Sequence, residues 1–185
     1  MVIAKKTKDG VLVGYSAASS YVDMTARDIL LDENQPFWRV DGTEDTYVCA
    51  SCASRTVDIL RYNDEIFKSA KNGVSIVKDV VPKMKALLSE NDALINNGET
   101  DVGILIIKGN RIFKVSQYFV VNEADDFADM LSSSCFQGAM EEYRGEGELN
   151  SILNSYRLAE QMQLRKYFPL TIFNTSTKES TVYYN

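Results

Sequence analysis

The stretch that decides the fold is Val102-Gly103-Ile104-Leu105-Ile106-Ile107-Lys108-Gly109-Asn110-Arg111-Ile112-Phe113-Lys114-Val115. Two β-prone runs flank Gly109-Asn110, a two-residue turn of the kind that closes an antiparallel hairpin. The first run is apolar at almost every position. Such a strand has both faces covered, unlike a surface strand that alternates apolar and polar residues. A short third strand, Tyr118 to Val121, follows.

Outward from this hairpin, toward the amino terminus, two helices are expected. One runs from about Cys52 to Lys68, with Val57, Leu60 and Phe67 near one face, and Asn72-Gly73 breaks it. The second runs to about Asn91 with Val77, Val81, Met84 and Leu88 at helical spacing. Pro82 inside it implies a kink or a later start. Before the helices lie two hairpins. Val2 to Thr7 and Val11 to Tyr15 are joined through Lys8-Asp9-Gly10, and Phe37 to Val40 and Tyr47 to Ser51 through Asp41-Gly42. A polar, less regular stretch from Ser16 to Gln35 separates them. Toward the carboxyl end, Ser132-Ser133-Ser134 offers caps for a helix through Tyr143. A fourth helix from Glu148 to Lys166 places Leu149, Ile152, Leu153, Tyr156 and Ala159 on one face. Leu170 to Asn174 and Thr181 to Tyr184 form a closing hairpin.

The order is strands, two helices, strands, two helices, strands. Lone β-α-β crossovers, which build a doubly wound parallel sheet, are missing. The expected fold is therefore α+β: a four-layer α-β-β-α sandwich, two antiparallel sheets between two helix pairs. No linker, repeat or low-complexity tract divides residues 1–185, so a single domain is expected.

Composition narrows the chemistry. The 185 residues carry a net charge of −6, with 45% hydrophobic and 25% charged residues. That balance suits a globular domain. It argues against a nucleic-acid partner and against a polybasic membrane contact. No apolar run is long enough to span a bilayer, and the start has no signal-peptide core. Three cysteines make no disulfide framework. A cytoplasmic location is expected. Histidine is absent, which removes Ser-His-Asp and Cys-His catalysis and histidine-ligated metals. No cofactor or metal is expected.

Two local patterns have competing readings. Cys49-Ala50-Ser51-Cys52 is a C-x-x-C at a strand-to-helix junction, either a redox pair or two small packed residues. Asp125-Asp126 with Asp129, and Glu141-Glu142 with Glu146 and Glu148, could ligate a hard cation but read more simply as solvated surface.

The order of elements is similar to that of proteasome β subunits and bacterial HslV, which are N-terminal nucleophile hydrolases. Local pieces resemble the family as well. Asp9-Gly10 resembles the first hairpin. Phe37-Trp38-Arg39-Val40 and then Cys52-Ala53-Ser54-Arg55-Thr56-Val57-Asp58-Ile59-Leu60 resemble the run into the first helix. Gly109-Asn110-Arg111-Ile112-Phe113 resembles the central hairpin, and Gln137-Gly138-Ala139-Met140 the start of the third helix. In that family the first residue of the mature chain, usually Thr, attacks a carbonyl while its α-amine moves the proton. The resemblance puts this slot on Met1, or on Val2 if Met1 is removed, and no propeptide is expected. The family's Asp after the second strand corresponds to Ser16-Ala17. Its Lys before the third strand corresponds to Gln35, and its oxyanion Gly to Cys52. The glycine-rich turn before the third helix is replaced by Leu131 to Ser134.

A subunit that keeps the fold and has lost the chemistry is the implied function, acting as an assembly or binding module. The expected partners are copies of itself, a ring being one arrangement, or another protein. The alternative is an N-terminal nucleophile-type peptidase or amidohydrolase with a displaced nucleophile drawn from Thr7, Ser16 or Ser19. Thr7 would lie inside a strand the sheet needs.

Overall fold

The computed structural model describes residues 2–16, 18–20, 27–29, 36–50, 55–95, 98–129, 138, 140–163 and 167–184. Strands β1 (Val2–Lys6) and β2 (Val11–Ser16) form the opening hairpin, in register from Val2 opposite Tyr15 to Lys6 opposite Val11. β3 (Ala18–Ser20) and β4 (Arg27–Ile29) pair as a separate small sheet within the stretch expected to be irregular. β5 (Phe37–Arg39) and β6 (Thr46–Ala50) form the second hairpin. The first helical region is α1 (Arg55–Tyr62) followed by a 3-10 segment (Asp64–Ser69), where one helix to Lys68 is expected. Asn63 ends α1, its side-chain amide donating to the Ile59 carbonyl.

The second region begins at α2 (Gly73–Ser75). The side-chain oxygen of its capping Asn72 accepts the Ser75 N–H, and the Asn72 backbone N–H in turn donates to the Ser75 hydroxyl oxygen. A π-helical segment (Ile76–Val80) leads into α3 (Val81–Glu90). Pro82 stands in the first turn of α3, but the backbone is already helical from Gly73, so the proline is met by a π turn within a continuous helical run and not by a later start. The π turn bonds the Val81 N–H to the Ile76 carbonyl and accommodates the ring that lacks an N–H.

β7 (Ile104–Lys108) and β8 (Arg111–Val115) are the central hairpin, with Ile107 opposite Ile112. The expected strand at 118–121 is instead a turn. The Ser116 hydroxyl accepts the N–H groups of Tyr118 and Val120, and Phe119 takes a φ of +62°. The strand starts later, as β9 (Val121–Ala124), and β10 (Phe127–Asp129) follows after a bend at Asp125-Asp126. The helix expected from Ser132 falls mostly outside the described residues; 138 and 140–142 are helical. α4 (Glu148–Gln163), β11 (Leu170–Asn174) and β12 (Glu179–Tyr183) complete the chain.

The strands form two five-stranded antiparallel sheets, ordered β10-β1-β2-β11-β12 and β5-β6-β7-β8-β9. Three buried clusters define the stacking. Val2, Ala4, Val11, Val13, Leu105 and Ile107 lie between the sheets. Val48, Ile104, Ile106 and Phe113 point the other way, against Leu60, Met84 and Leu88 of α1 and α3. Ile3, Leu170 and Ile172 pack on Ile152 and Tyr156 of α4. Each central strand alternates between two cores, which explains the apolar run at 104–107. The architecture is the expected α+β sandwich, with helices outside two stacked antiparallel sheets.

Candidate functional site

The strand geometry brings together the positions singled out at the start of β1 and the end of β2. Val2 is fully buried in the inter-sheet core and stands opposite Tyr15. Its isopropyl group offers no atom that could attack a carbonyl. Ser16, one residue past Tyr15, is 1% exposed, and its hydroxyl donates to the Tyr167 carbonyl at 2.6 Å. That bond ties β2 to the segment entering β11, whose Leu170 pairs with Ser16. Met1, Ala17, Gln35 and Cys52 lie outside the described residues, as do Leu131 to Ser134.

Beside these positions, four aromatic rings fill the space between the sheets. Phe37, at the start of β5, stacks on Tyr15 at 5.7 Å and on Tyr47 at 5.4 Å. Phe173 of β11 closes the group, 4.9 Å from Phe37. The arrangement is a packed apolar floor. Cys49 belongs to the same core and is fully buried. Burial pushes its thiol far up from the usual range, which keeps it protonated and poorly nucleophilic. Cys49 is therefore placed as a packing residue, and its C-x-x-C companion Cys52 lies outside the described residues.

The displaced hydroxyls fare as follows. Thr7 stands just beyond β1 and not inside a strand, because the turn to β2 begins there. Its Oγ1 accepts the Gly10 N–H at 3.0 Å, at the opposite end of β1 from Val2. Ser19 is on β3, apart from the two large sheets.

Of the acidic cluster at 125–129, Asp125 is exposed as a solvated residue would be, whereas Asp126 and Asp129 are not. Asp126 accepts from Lys5 Nζ at 2.8 Å and from Arg144 Nε at 3.2 Å. Burial opposes its charge, but these two cations outweigh that and hold its carboxyl below the usual range. Asp129 is 2% exposed and lies 3.6 Å from Lys114 Nζ. Tyr156 of α4 is fully buried and donates its hydroxyl to the Gly14 carbonyl at 3.0 Å. Among the described residues no group of three or more Cys, Asp or Glu side chains could hold a metal ion. The sequence carried one signal of the buried pair: Lys5 shares the parity of Ile3, and so sits on the covered helix-side face of β1.

Two stacked antiparallel sheets with helices outside, and the amino-terminal strand central in one of them, define a class: the chain has the fold of proteasome β subunits and HslV, the N-terminal nucleophile hydrolase fold. Among solved structures it resembles Thiobacillus denitrificans BPH, determined in complex with epoxomicin, at 17% identity and a TM-score of 0.73, over 100% of this chain and 98% of that one. It is similar to HslV from Trypanosoma brucei at 8% identity and a TM-score of 0.65, over 98% and 99% of the two chains. It is also similar to the Anbu protein of Pseudomonas aeruginosa, described as a helical assembly, at 11% identity and a TM-score of 0.64, over 99% and 80%. At these identities the likeness is one of fold. No family model and no curated protein matches the chain.

Proposed function

We propose that this chain is a proteasome- and HslV-like subunit, one domain over residues 1–185, that has lost the hydrolytic chemistry and acts as an assembly or binding module. The observation that carries the reading is the pair at the head of β1 and the foot of β2. Val2 supplies only hydrocarbon to the inter-sheet core, and Ser16 spends its hydroxyl on the Tyr167 carbonyl. A nucleophile of this type needs a free hydroxyl or thiol beside a base. Met1, Ala17, Gln35 and Cys52 complete the proposed vestigial pocket and bring no carboxylate or lysine to it. The partners are further copies of the chain or another protein, as the assembly described for the Anbu relative suggests. No nucleic acid or membrane takes part. Among the described residues no helix is long and apolar enough to cross a membrane, and a cytoplasmic location is part of the proposal.

The test is intact mass together with turnover. Purified protein, incubated with epoxomicin and with small fluorogenic peptide amides, should keep an unchanged mass and release no fluorophore. The mass should correspond to a first residue of Met1 or Val2. A mass leaving Thr, Ser or Cys in front, or an epoxomicin adduct, would overturn the proposal. It would establish instead a peptidase with a processed or displaced nucleophile.

A further inference from the structure

We propose that β12 is a dimerisation strand, which pairs antiparallel with β12 of a second copy about a two-fold axis at Thr181 and joins two sheets into one. This pairing rests on the assembly role proposed above and gives it a surface and a partner.

The two large sheets end in β5, β9, β10 and β12. Three of these edges are blunted. β5 and β10 have three residues each and carry Arg39 and Asp129. β9 has four, and its Glu123 is gripped at the surface by Arg111 of β8. Short edges and charged edges resist pairing with another chain. β12 has five residues, no proline, and no charge after Glu179. Glu179 to Val182 are exposed, so neither α4 nor the facing sheet covers them.

The direction of the backbone groups fixes what this edge can bond. The Thr175 N–H, just past β11, donates to the Val11 carbonyl of β2. Successive residues of an antiparallel strand turn their N–H and C=O groups to opposite sides. Phe173 and Thr171 therefore face β2, while Asn174, Ile172 and Leu170 face β12. The Lys178 N–H on the Asn174 carbonyl agrees. Glu179, Thr181 and Tyr183 stand opposite those three residues and spend their backbone groups on β11. The backbone groups of Ser180 and Val182 point outward from the sheet.

A second β12 satisfies these groups when its Val182 comes opposite Ser180, and its Ser180 opposite Val182. Each such pair exchanges both backbone hydrogen bonds. Thr181 then meets Thr181 of the second copy at a non-hydrogen-bonded position, where side chains come closest and Thr–Thr pairs are favourable. Glu179 comes opposite Tyr183, so the one charge of the strand never meets its own copy. The strand is thus complementary to itself, as a two-fold interface requires; an edge made for an unrelated peptide has no need of that property. Val182, exposed in the single chain, gains cover from the added strand.

The experiment combines cross-linking of the full chain with light scattering. Opposed Cα atoms at a non-hydrogen-bonded pair are about 4.5 Å apart, within reach of a disulfide. Thr181→Cys, held with oxidised glutathione, should therefore run as a covalent dimer on a non-reducing gel. Ser180→Cys should not, and the unmodified chain treated alike is the blank. Val182→Pro removes an outward N–H and no bond to β11. It should weaken association at least about tenfold, one hydrogen bond being lost from each copy. Absence of a cross-link through position 181, a cross-link through 180 in its place, or unchanged association of Val182→Pro would each overturn the pairing and leave the assembly role standing. A monomeric unmodified chain would overturn both. The cross-link is read without the proline variant, so the outcome holds even if that variant folds poorly.

Discussion

Lys5 is 4% exposed, and a lysine is hardly ever so deeply buried without a partner. Its partner Asp126 lies 121 positions away in the chain. Lys5 and Arg144 lower the Asp126 carboxyl in the folded state, against the effect of burial. A depressed carboxylate contributes stability above its unfolded pKa of about 4, and that contribution is lost as pH falls through the lower folded value. The melting temperature should therefore fall on acidification below about pH 4 more steeply in the native chain than in Asp126→Asn. Thermal melts of the two proteins from neutral pH downward check this, and parallel curves would show that the pair adds nothing. At this scale the candidate site was partly legible. That Val2 offers only hydrocarbon and Ser16 a hydroxyl in place of a carboxylate is plain from residue type. That Ser16 is committed to Tyr167, and that Asp129 is buried near Lys114, depends on strands far apart in sequence, and no local pattern reveals it.

Among the elements, the central hairpin, the opening hairpin and α4 lie where their periodicity puts them, because each repeats its apolar positions over many residues. The differences fall where one side-chain bond redirects the backbone. Ser116 turns the expected strand at 118–121 into a turn, and Asn63 interrupts the first helix. The seat of α4 on the sheet depends on Gly14. A Cβ there would stand 2.6 Å from Ile152 Cγ2 and 3.1 Å from Ile172 Cδ1. Gly14→Ala should therefore cost about 1–3 kcal/mol of stability, the range for overpacking a dense core. It should also strain the bond from Tyr156 to the Gly14 carbonyl. Urea denaturation measures the cost, and an unchanged midpoint would mean α4 rides up without penalty.

For the whole molecule, the two sheets bury their central strands on both faces, so the proposed assembly would have to use helix surfaces, turns and sheet edges. β12 is an edge strand with most of its residues exposed, and Tyr184 beyond it is 77% exposed. Exposed tyrosines of this kind are common in subunit contacts. Size-exclusion chromatography with light scattering should find a defined oligomer of the proposed subunit, and a monomer at high concentration would count against assembly.

What the sequence determined by itself is the layered α+β fold and the absence of histidine chemistry, because periodicity, turn residues and composition are local quantities read along the chain. Only the tertiary structure decided that Lys5 meets Asp126, that Ser16 is bonded to Tyr167, and that Lys114 stands beside Asp129. Those contacts arise where strands from distant parts of the chain pair in a particular register, and a pairing register is a property of the folded whole.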